Sequence, residues 1–369
     1  MRLALVTDAW VPQVNGVVRT LQTTVERLRA RGADVLVISP ERFASLPCPT
    51  YPEIRLALAR PGAVGRLIER HGANAVHIAT EGPLGLAARR HCLRVRRSFT
   101  TSFHTRFPDY VEARTGIPAR FGWRYLRWFH APARAVLVAT PTLAAELRQH
   151  GLRQTRIWSR GVDLARFRVG LPAPEAYAGL KRPILLNVGR VAVEKNLEAF
   201  LALDLPGSKV VVGDGPALTS LKLRFPEVLF LGALSGEPLA RAYSGADLFV
   251  FPSRTDTFGL VLVEAMASGL PVAAYPVPGP LDVVGESDAG VLDEDLGAAV
   301  TAALRIPRAA ALARARAFSW DAAVDQFEAA LEDCFGVVPR PRRWRRWGAP
   351  PTSPVAESPV ANSSVAERA

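Results

Sequence analysis

Pro252-Ser-Arg-Thr-Asp-Thr-Phe-Gly-Leu-Val-Leu-Val-Glu-Ala-Met-Ala-Ser-Gly269-Leu-Pro-Val272 joins a polar loop to an apolar run closed by Gly and Pro. Asp247-Leu-Phe-Val-Phe251, just before it, has the length and apolar content of a fully buried strand. Leu260 to Ser268 then predicts a helix, which Gly269 ends and Pro271 cannot continue. A further apolar strand is expected at Pro271–Tyr275. Strand, polar loop, helix and strand is the repeat of an open parallel sheet, and ligands bind such sheets at the carboxyl ends of the strands. The helix N-terminus offers N–H groups and a positive dipole end to a phosphate. Asp256 and Glu264 flank that terminus. Taken alone, Asp256 also reads as a loop or capping residue and Glu264 as an acid offsetting the helix dipole.

The same alternation runs outward through the chain. Leu3–Thr7 reads as a first strand, followed by a loop ending in Asn15-Gly16. A helix over Val17–Arg31 carries apolar residues at Val17, Val18, Leu21, Val25 and Leu28, and Val35–Ile38 is the next strand. Gly16 has no Cβ to keep a phosphate away from the backbone. Strands follow at Ile54–Leu58, Ala75–Ile78, Ser98–Phe103 and Val136–Ala139. Helices are expected at Ala63–His71, from Pro83, and at Thr142–His150 with Thr142 as cap. His104 stands at a strand's carboxyl end, on the ligand side of a doubly wound sheet. Pro172, Pro174 and Gly179 mark a linker. The pattern then restarts with Pro183–Val188, Gly189-Arg190 and Glu194-Lys195-Asn196. Arg190 and Lys195, two cations at strand-to-helix junctions, suit a diphosphate. Asp293-x-Asp295 precedes a helical pattern and reads as an N-cap.

Four of these segments resemble one family in that family's order. They are Val14-Asn-Gly-Val-Val-Arg-Thr20, Ser102-Phe-His-Thr105, Gly189-Arg-x4-Lys195 and Asp256-x7-Glu264. Together they resemble the retaining family-four glycosyltransferases, and within them the glycolipid-forming branch that includes diacylglycerol glycosyltransferases and sulfoquinovosyl- and mannosyltransferase-like enzymes. Ile157-Trp-Ser-Arg-Gly-Val-Asp163 resembles that family's crossing between domains. The resemblance implies the α/β GT-B fold, two Rossmann-like doubly wound domains facing across a cleft. Its domains would be residues 1–168, facing acceptor and membrane, and 183–320, binding the nucleotide sugar, with 169–182 as linker. A helix over 321–335 would cross back to the first domain, and 336–369 would be a disordered tail, basic and then rich in Ser, Pro and Ala.

The resemblance further implies a cytoplasmic, metal-independent hexosyltransferase with a nucleotide-diphosphate sugar as substrate and no cofactor. A UDP-sugar is expected to give a hexose or uronic acid to a lipid such as diacylglycerol. GDP-mannose is the alternative donor. His104, Arg190, Lys195 and Asp256 would be catalytic. Gly16, Asn15, Phe258, Gly259, Leu260 and Glu264 would bind the donor, with Glu264 on the ribose. Asp8 and Asp109 would contact the acceptor. Asp256 stands where the family more often has Glu. A protein that binds nucleotide sugar and membrane without turnover, and a sugar-nucleotide 2-epimerase, are the other readings of this pattern.

Bulk properties bear on the partner. The net charge is +12, and 42 of the 46 basic residues are arginine. Between Gly82 and Arg134 there are 11 arginines against two acids, Asp109 and Glu112. Arg120, Trp123, Arg124, Arg127 and Trp128 lie within one expected helix and suit the headgroup layer of an anionic membrane. The alternative is an ordinary helix with buried aromatics and solvated arginines. No nucleic-acid motif accompanies the charge. The expected location is therefore the inner face of the cell membrane, peripherally bound, since no apolar run is long enough to span it. Cys48, Cys92 and Cys334 lack metal spacing and imply reduced thiols.

Overall fold

A computed structural model describes residues 1–332 apart from 14, 49, 50, 61, 109–111 and 113–115. The expected tail and Asp109 lie outside the described residues.

Two six-stranded parallel sheets form the frame. The first is built from β1 (Arg2–Val6), β2 (Asp34–Ile38), β5 (Ala75–Ile78), β6 (Thr100–Phe103), β7 (Val136–Val138) and β8 (Thr155–Ile157). Its spatial order is β2-β1-β5-β6-β7-β8. The second uses β9 (Ile184–Val188), β10 (Ser208–Val212), β11 (Leu229–Gly232), β12 (Leu248–Phe251), β13 (Val272–Ala274) and β14 (Gly290–Leu292), in the order β11-β10-β9-β12-β13-β14. Counted from β9 that order is 3-2-1-4-5-6, the doubly wound arrangement whose crevice lies where the order reverses. Central strands such as β5, β9 and β12 are buried along their whole length. Helices cover both faces, which is why these strands are continuous apolar runs rather than alternating ones.

Several local expectations shift. The segment expected at Ile54–Leu58 does not join the parallel sheet. It lies in β4 (Tyr51–Ala57), which pairs antiparallel with β3 (Ser45–Cys48) in a separate hairpin. β8 is an added strand, too short for apolar periodicity to reveal. The helix expected to be capped by Thr142 is Pro141–Gln149, and its cap is Thr140, whose hydroxyl accepts from Leu143 N–H. Thr142 instead donates its hydroxyl to Asp282 of the second half at 2.9 Å. Asp295 does cap the helix Leu296–Ala303, accepting from Gly297 and Ala298 N–H.

The last described helix, Trp320–Glu332, packs on the first sheet. Trp320, Val324, Phe327 and Leu331 share a core with Leu3, Leu5, Leu21, Leu28 and Trp158. Close approach is possible because Gly161 lacks a side chain, as a Cβ there would stand 2.2 Å from Trp320 N. Arg27 and Arg31 reach Asp321, Asp325 and Glu328 on the same helix. These pairs are largely exposed and fix orientation more than they stabilise. Among the described residues no single helix is long and apolar enough to cross a membrane.

Candidate functional site

The order of the second sheet reverses between β9 and β12, and the loops leaving these two strands are strapped together. After β9 come Gly189, Arg190 and the turn Val193–Lys195, and after β12 comes the loop from Pro252 to Gly259. Lys195 Nζ meets Asp256 Oδ1 at 2.5 Å, Thr255 donates to Glu194 O at 3.2 Å, and Asn196 Nδ2 donates to Pro252 O at 3.2 Å. Close backbone packing sets the same corner. A Cβ on Gly213, after β10, would lie 1.8 Å from Gly189 O, and one on Gly279 would lie 2.8 Å from Asp256 O. Glycine is therefore required at both positions.

Gly259, with φ +82°, turns the chain into helix Leu260–Ala267. Phe258 is buried against Phe318 at 5.8 Å, so its side chain anchors the loop and its backbone borders the site. Asp256 Oδ2 is buried and has no hydrogen-bond partner within the protein.

The first half of the chain closes on this corner. Thr257 donates its hydroxyl to the backbone carbonyl of His104 at 2.8 Å, and a Cβ on Gly16 would lie 3.7 Å from Leu260 Cδ1. His104 Nδ1 faces Arg160 Nη2 at 3.2 Å, and its Nε2 is buried without a partner. Burial, with Arg160, His77 and His130 nearby, holds the His104 pKa well below that of an ordinary imidazole. Burial likewise pushes the Arg160 guanidinium down to about 9.

Glu264, on the second turn of helix Leu260–Ala267, is buried at 4% exposure. Its Oε1 is paired with Arg19 of helix Gly16–Ala30, and its Oε2 accepts from Tyr243 at 3.1 Å. Burial raises its pKa, while Arg19 and then Tyr243 act in the opposite direction. Arg19, Tyr243, Arg160 and Thr257 were not foreseen from the sequence. Arg19 and Arg160 each lie inside a segment that resembles the family, Val14–Thr20 and Ile157–Asp163, and that placement was the available signal.

His104, Lys195, Asp256, Gly16, Phe258, Gly259, Leu260 and Glu264 thus gather around the junction of the two halves, and Arg190 follows β9 two residues after Val188. Other expected residues take different places. Asn15 is the N-cap of its helix, accepting from Val18 N–H at 3.0 Å, so its side chain is engaged locally. Asp8 departs from the expectation of an acceptor contact. It is buried and accepts from Leu84 N–H at 2.9 Å, from Gly85 N–H at 3.4 Å and from the Thr80 hydroxyl at 2.9 Å, capping helix Pro83–Arg94. Burial raises its pKa despite those bonds.

On helix Ala119–His130, Arg120, Arg124, Arg127 and Trp128 face outward with Phe121 and Tyr125. Trp123 does not join them. It stacks on His150 at 3.8 Å and on Phe103 at 5.9 Å, so it is a packing residue rather than a surface contact.

Beneath the site, His77 is fully buried between the hydroxyls of Thr100 and Ser102, each at 2.8 Å. Burial first, and Arg160 second, lower its pKa from 6.5 to about 3. The folded protein therefore refuses a proton that the unfolded chain accepts below pH 6.5. Stability is full above that pH and is lost as pH falls toward 3. His77 alone is expected to cost about 2 kcal/mol between pH 7 and pH 5, with His104 acting in the same direction. Urea midpoints at the two pH values, for the wild type and His77→Gln, check this. Equal losses in both proteins would remove His77 as the cause.

Comparison with known proteins places this geometry. A family model described as Glycosyltransferase Family 4 matches residues 14–166, and one described as Glycosyl transferases group 1 matches residues 182–307. The chain is 31% identical to the GDP-mannose-dependent alpha-mannosyltransferase of Mycolicibacterium smegmatis, over 79% of this chain and 84% of that protein. It is 26% identical to the alpha-monoglucosyldiacylglycerol synthase of Streptococcus pneumoniae, over 82% of this chain and 78% of that protein. Among solved structures, a sucrose-phosphate synthase from Thermosynechococcus elongatus superposes with a TM-score of 0.73 at 23% identity, covering 90% of this chain and 99% of that one. That likeness identifies the fold.

Proposed function

This chain belongs to the family-four glycosyltransferases of GT-B fold, and we propose that it moves a hexose from a nucleotide-diphosphate sugar to a membrane lipid, with retention at the anomeric carbon and without a metal. The observation that carries this reading is the pair of orphaned polar atoms at the junction. Asp256 Oδ2 and His104 Nε2, one from each half of the chain, are buried without protein partners. Buried polar groups are nearly always satisfied, so a pair of them facing the junction from both halves supports a polyhydroxylated ligand there.

The chemical demand is the charge that builds on the departing diphosphate. Arg190, Lys195 and the N–H groups at the start of helix Leu260–Ala267 are the groups we assign to it, since fixed donors need no reorganisation as the charge develops. Asp256 accepts from sugar hydroxyls while Lys195 fixes its other oxygen. Glu264, already an acceptor toward Arg19 and Tyr243, takes the ribose hydroxyls.

The acceptor reading rests on likeness to the diacylglycerol synthase and on the outer face of helix Ala119–His130. That face exposes Phe121 at 53% and Trp128 at 41% among Arg120, Arg124 and Arg127. Exposed aromatics among arginines suit the headgroup layer, and we assign the enzyme to the cytoplasmic face of the membrane. Two donors compete. A UDP-hexose fits the glycolipid reading, and likeness to the mannosyltransferase favours GDP-mannose. Incubating the full chain with anionic vesicles containing diacylglycerol and a panel of labelled nucleotide sugars separates them. Label in extracted lipid from one donor identifies it. Label released as free sugar, or none released from any donor, refutes lipid transfer.

A further inference from the structure

We propose that Arg160 is a positioning residue for the transfer: its guanidinium holds His104 in the tautomer that carries the proton on Nε2, so that the imidazole presents a hydrogen-bond donor to an oxygen of the donor sugar. The inference rests on the preceding reading only for the identity of that oxygen. The tautomer follows from the protein's own contacts.

A guanidinium has N–H donors and no acceptor. Arg160 Nη2 lies 3.2 Å from His104 Nδ1 in hydrogen-bonding geometry, so Nδ1 must be the acceptor and carry no proton. An imidazolium would point one cationic N–H at another. In the neutral ring the proton is then on Nε2. That nitrogen is buried and has no protein partner. A buried donor left without an acceptor is destabilising, and a ligand oxygen would offset that.

The ring has little freedom to escape the assignment. Thr257 holds the His104 carbonyl, and Trp158 meets the imidazole edge at 5.6 Å and 66°. Arg160 is fixed in turn. Its guanidinium lies over the Trp158 ring at 4.4 Å, and Nη1 donates to the carbonyls of Trp158 and Ser159. It is 4% exposed, and among the described residues no carboxylate pairs with it. Burying a guanidinium without an acid is expensive, and a residue serving only to fill space would avoid it. The lowered His104 pKa agrees with a ring kept neutral beside a cation.

The test uses the full chain labelled with ¹⁵N-histidine. Long-range ¹H–¹⁵N spectra, with His104 assigned through a His104→Gln variant, distinguish the two neutral tautomers and the imidazolium. The expected result is the Nε2–H tautomer in the wild type, giving way to a mixture in Arg160→Met. Transfer by Arg160→Met should fall about tenfold in kcat/KM. Arg160→Lys, which can still donate to Nδ1, should recover most of the loss and the original tautomer. An Nδ1–H tautomer or an imidazolium in the wild type overturns the inference whatever the variants do. An Nε2–H tautomer in a protein that transfers from no nucleotide sugar leaves the Arg160 contact standing and removes the enzymatic reading instead.

Discussion

Lys195→Met is expected to lower kcat about 10²–10³-fold. Lys195 sits in the turn after β9 with its ammonium 2.5 Å from Asp256, and both side chains are about four-fifths shielded from water. A cation in such surroundings acts on nearby charge far more strongly than one in bulk solvent. If the diphosphate departs across this corner, the ammonium stabilises charge that exists only late in the reaction, so its loss appears in kcat rather than KM. Methionine keeps the length and apolar stem of the side chain. The variant also leaves Asp256 without its cation, which adds to the loss and is separated by Asp256→Asn. If the diphosphate reading holds, Lys195→Met and Asp256→Asn should be non-additive, because each removes the same contact. Steady-state kinetics with the donor identified above supplies the test. A kcat within about threefold of wild type would place the diphosphate elsewhere.

What the sequence disclosed, and what it withheld, follows from the range of the interactions. The alternation of buried strands and amphipathic helices is local and periodic, so both sheets were legible, as was the helix that Gly259 and Gly269 delimit. The exceptions are informative. β3 and β4 are edge-like segments whose partner is set by a hairpin rather than by apolar periodicity, and nothing local says that they leave the main sheet. Asp8 reads as a loop acid until one notices that helix Pro83–Arg94 begins after Gly82 with no capping side chain of its own. The cap had to come from elsewhere, and a carboxylate 76 positions away supplies it. Trp123 lies three residues before buried Leu126, on the inward face of its helix. It lies equally three residues after Arg120 and four before Arg127, so helical spacing alone did not separate it from them; the stacking on His150 and Phe103 does.

The residues that complete the site were the least visible. Arg19 and Glu264 are 245 positions apart, and Thr257 finds His104 across 153. Such pairings are created by the docking of the two halves, and nothing local in Arg19 or Thr257 names its partner. The segments that resemble the family contain both members of each contact, but only Glu264 and His104 stood out by residue type. The second member emerged only once the halves were brought together.

Arg19→Met should weaken donor binding about 30–150-fold near neutral pH, and the loss should diminish as pH rises. Glu264 is buried, and burial, the largest effect, favours its protonated form; Arg19 opposes this most strongly, with Tyr243 and then Arg166 acting in the same direction. Removing the guanidinium therefore raises the carboxyl pKa further. A protonated acid exchanges charge-assisted bonds to two ribose hydroxyls for neutral ones, a loss of about 1–1.5 kcal/mol for each. The sign is fixed by this order of events. Below the new pKa the variant binds poorly, and above it the carboxylate re-forms and affinity returns, whereas Glu264→Gln should bind poorly at every pH. A rise in donor affinity would overturn this. If Arg19 occupies the carboxylate oxygens that the ribose needs, its removal frees them and donor affinity rises. Donor dissociation constants for the wild type and both variants, measured by calorimetry from pH 6 to 9, decide between an arginine that prepares Glu264 and one that competes for it.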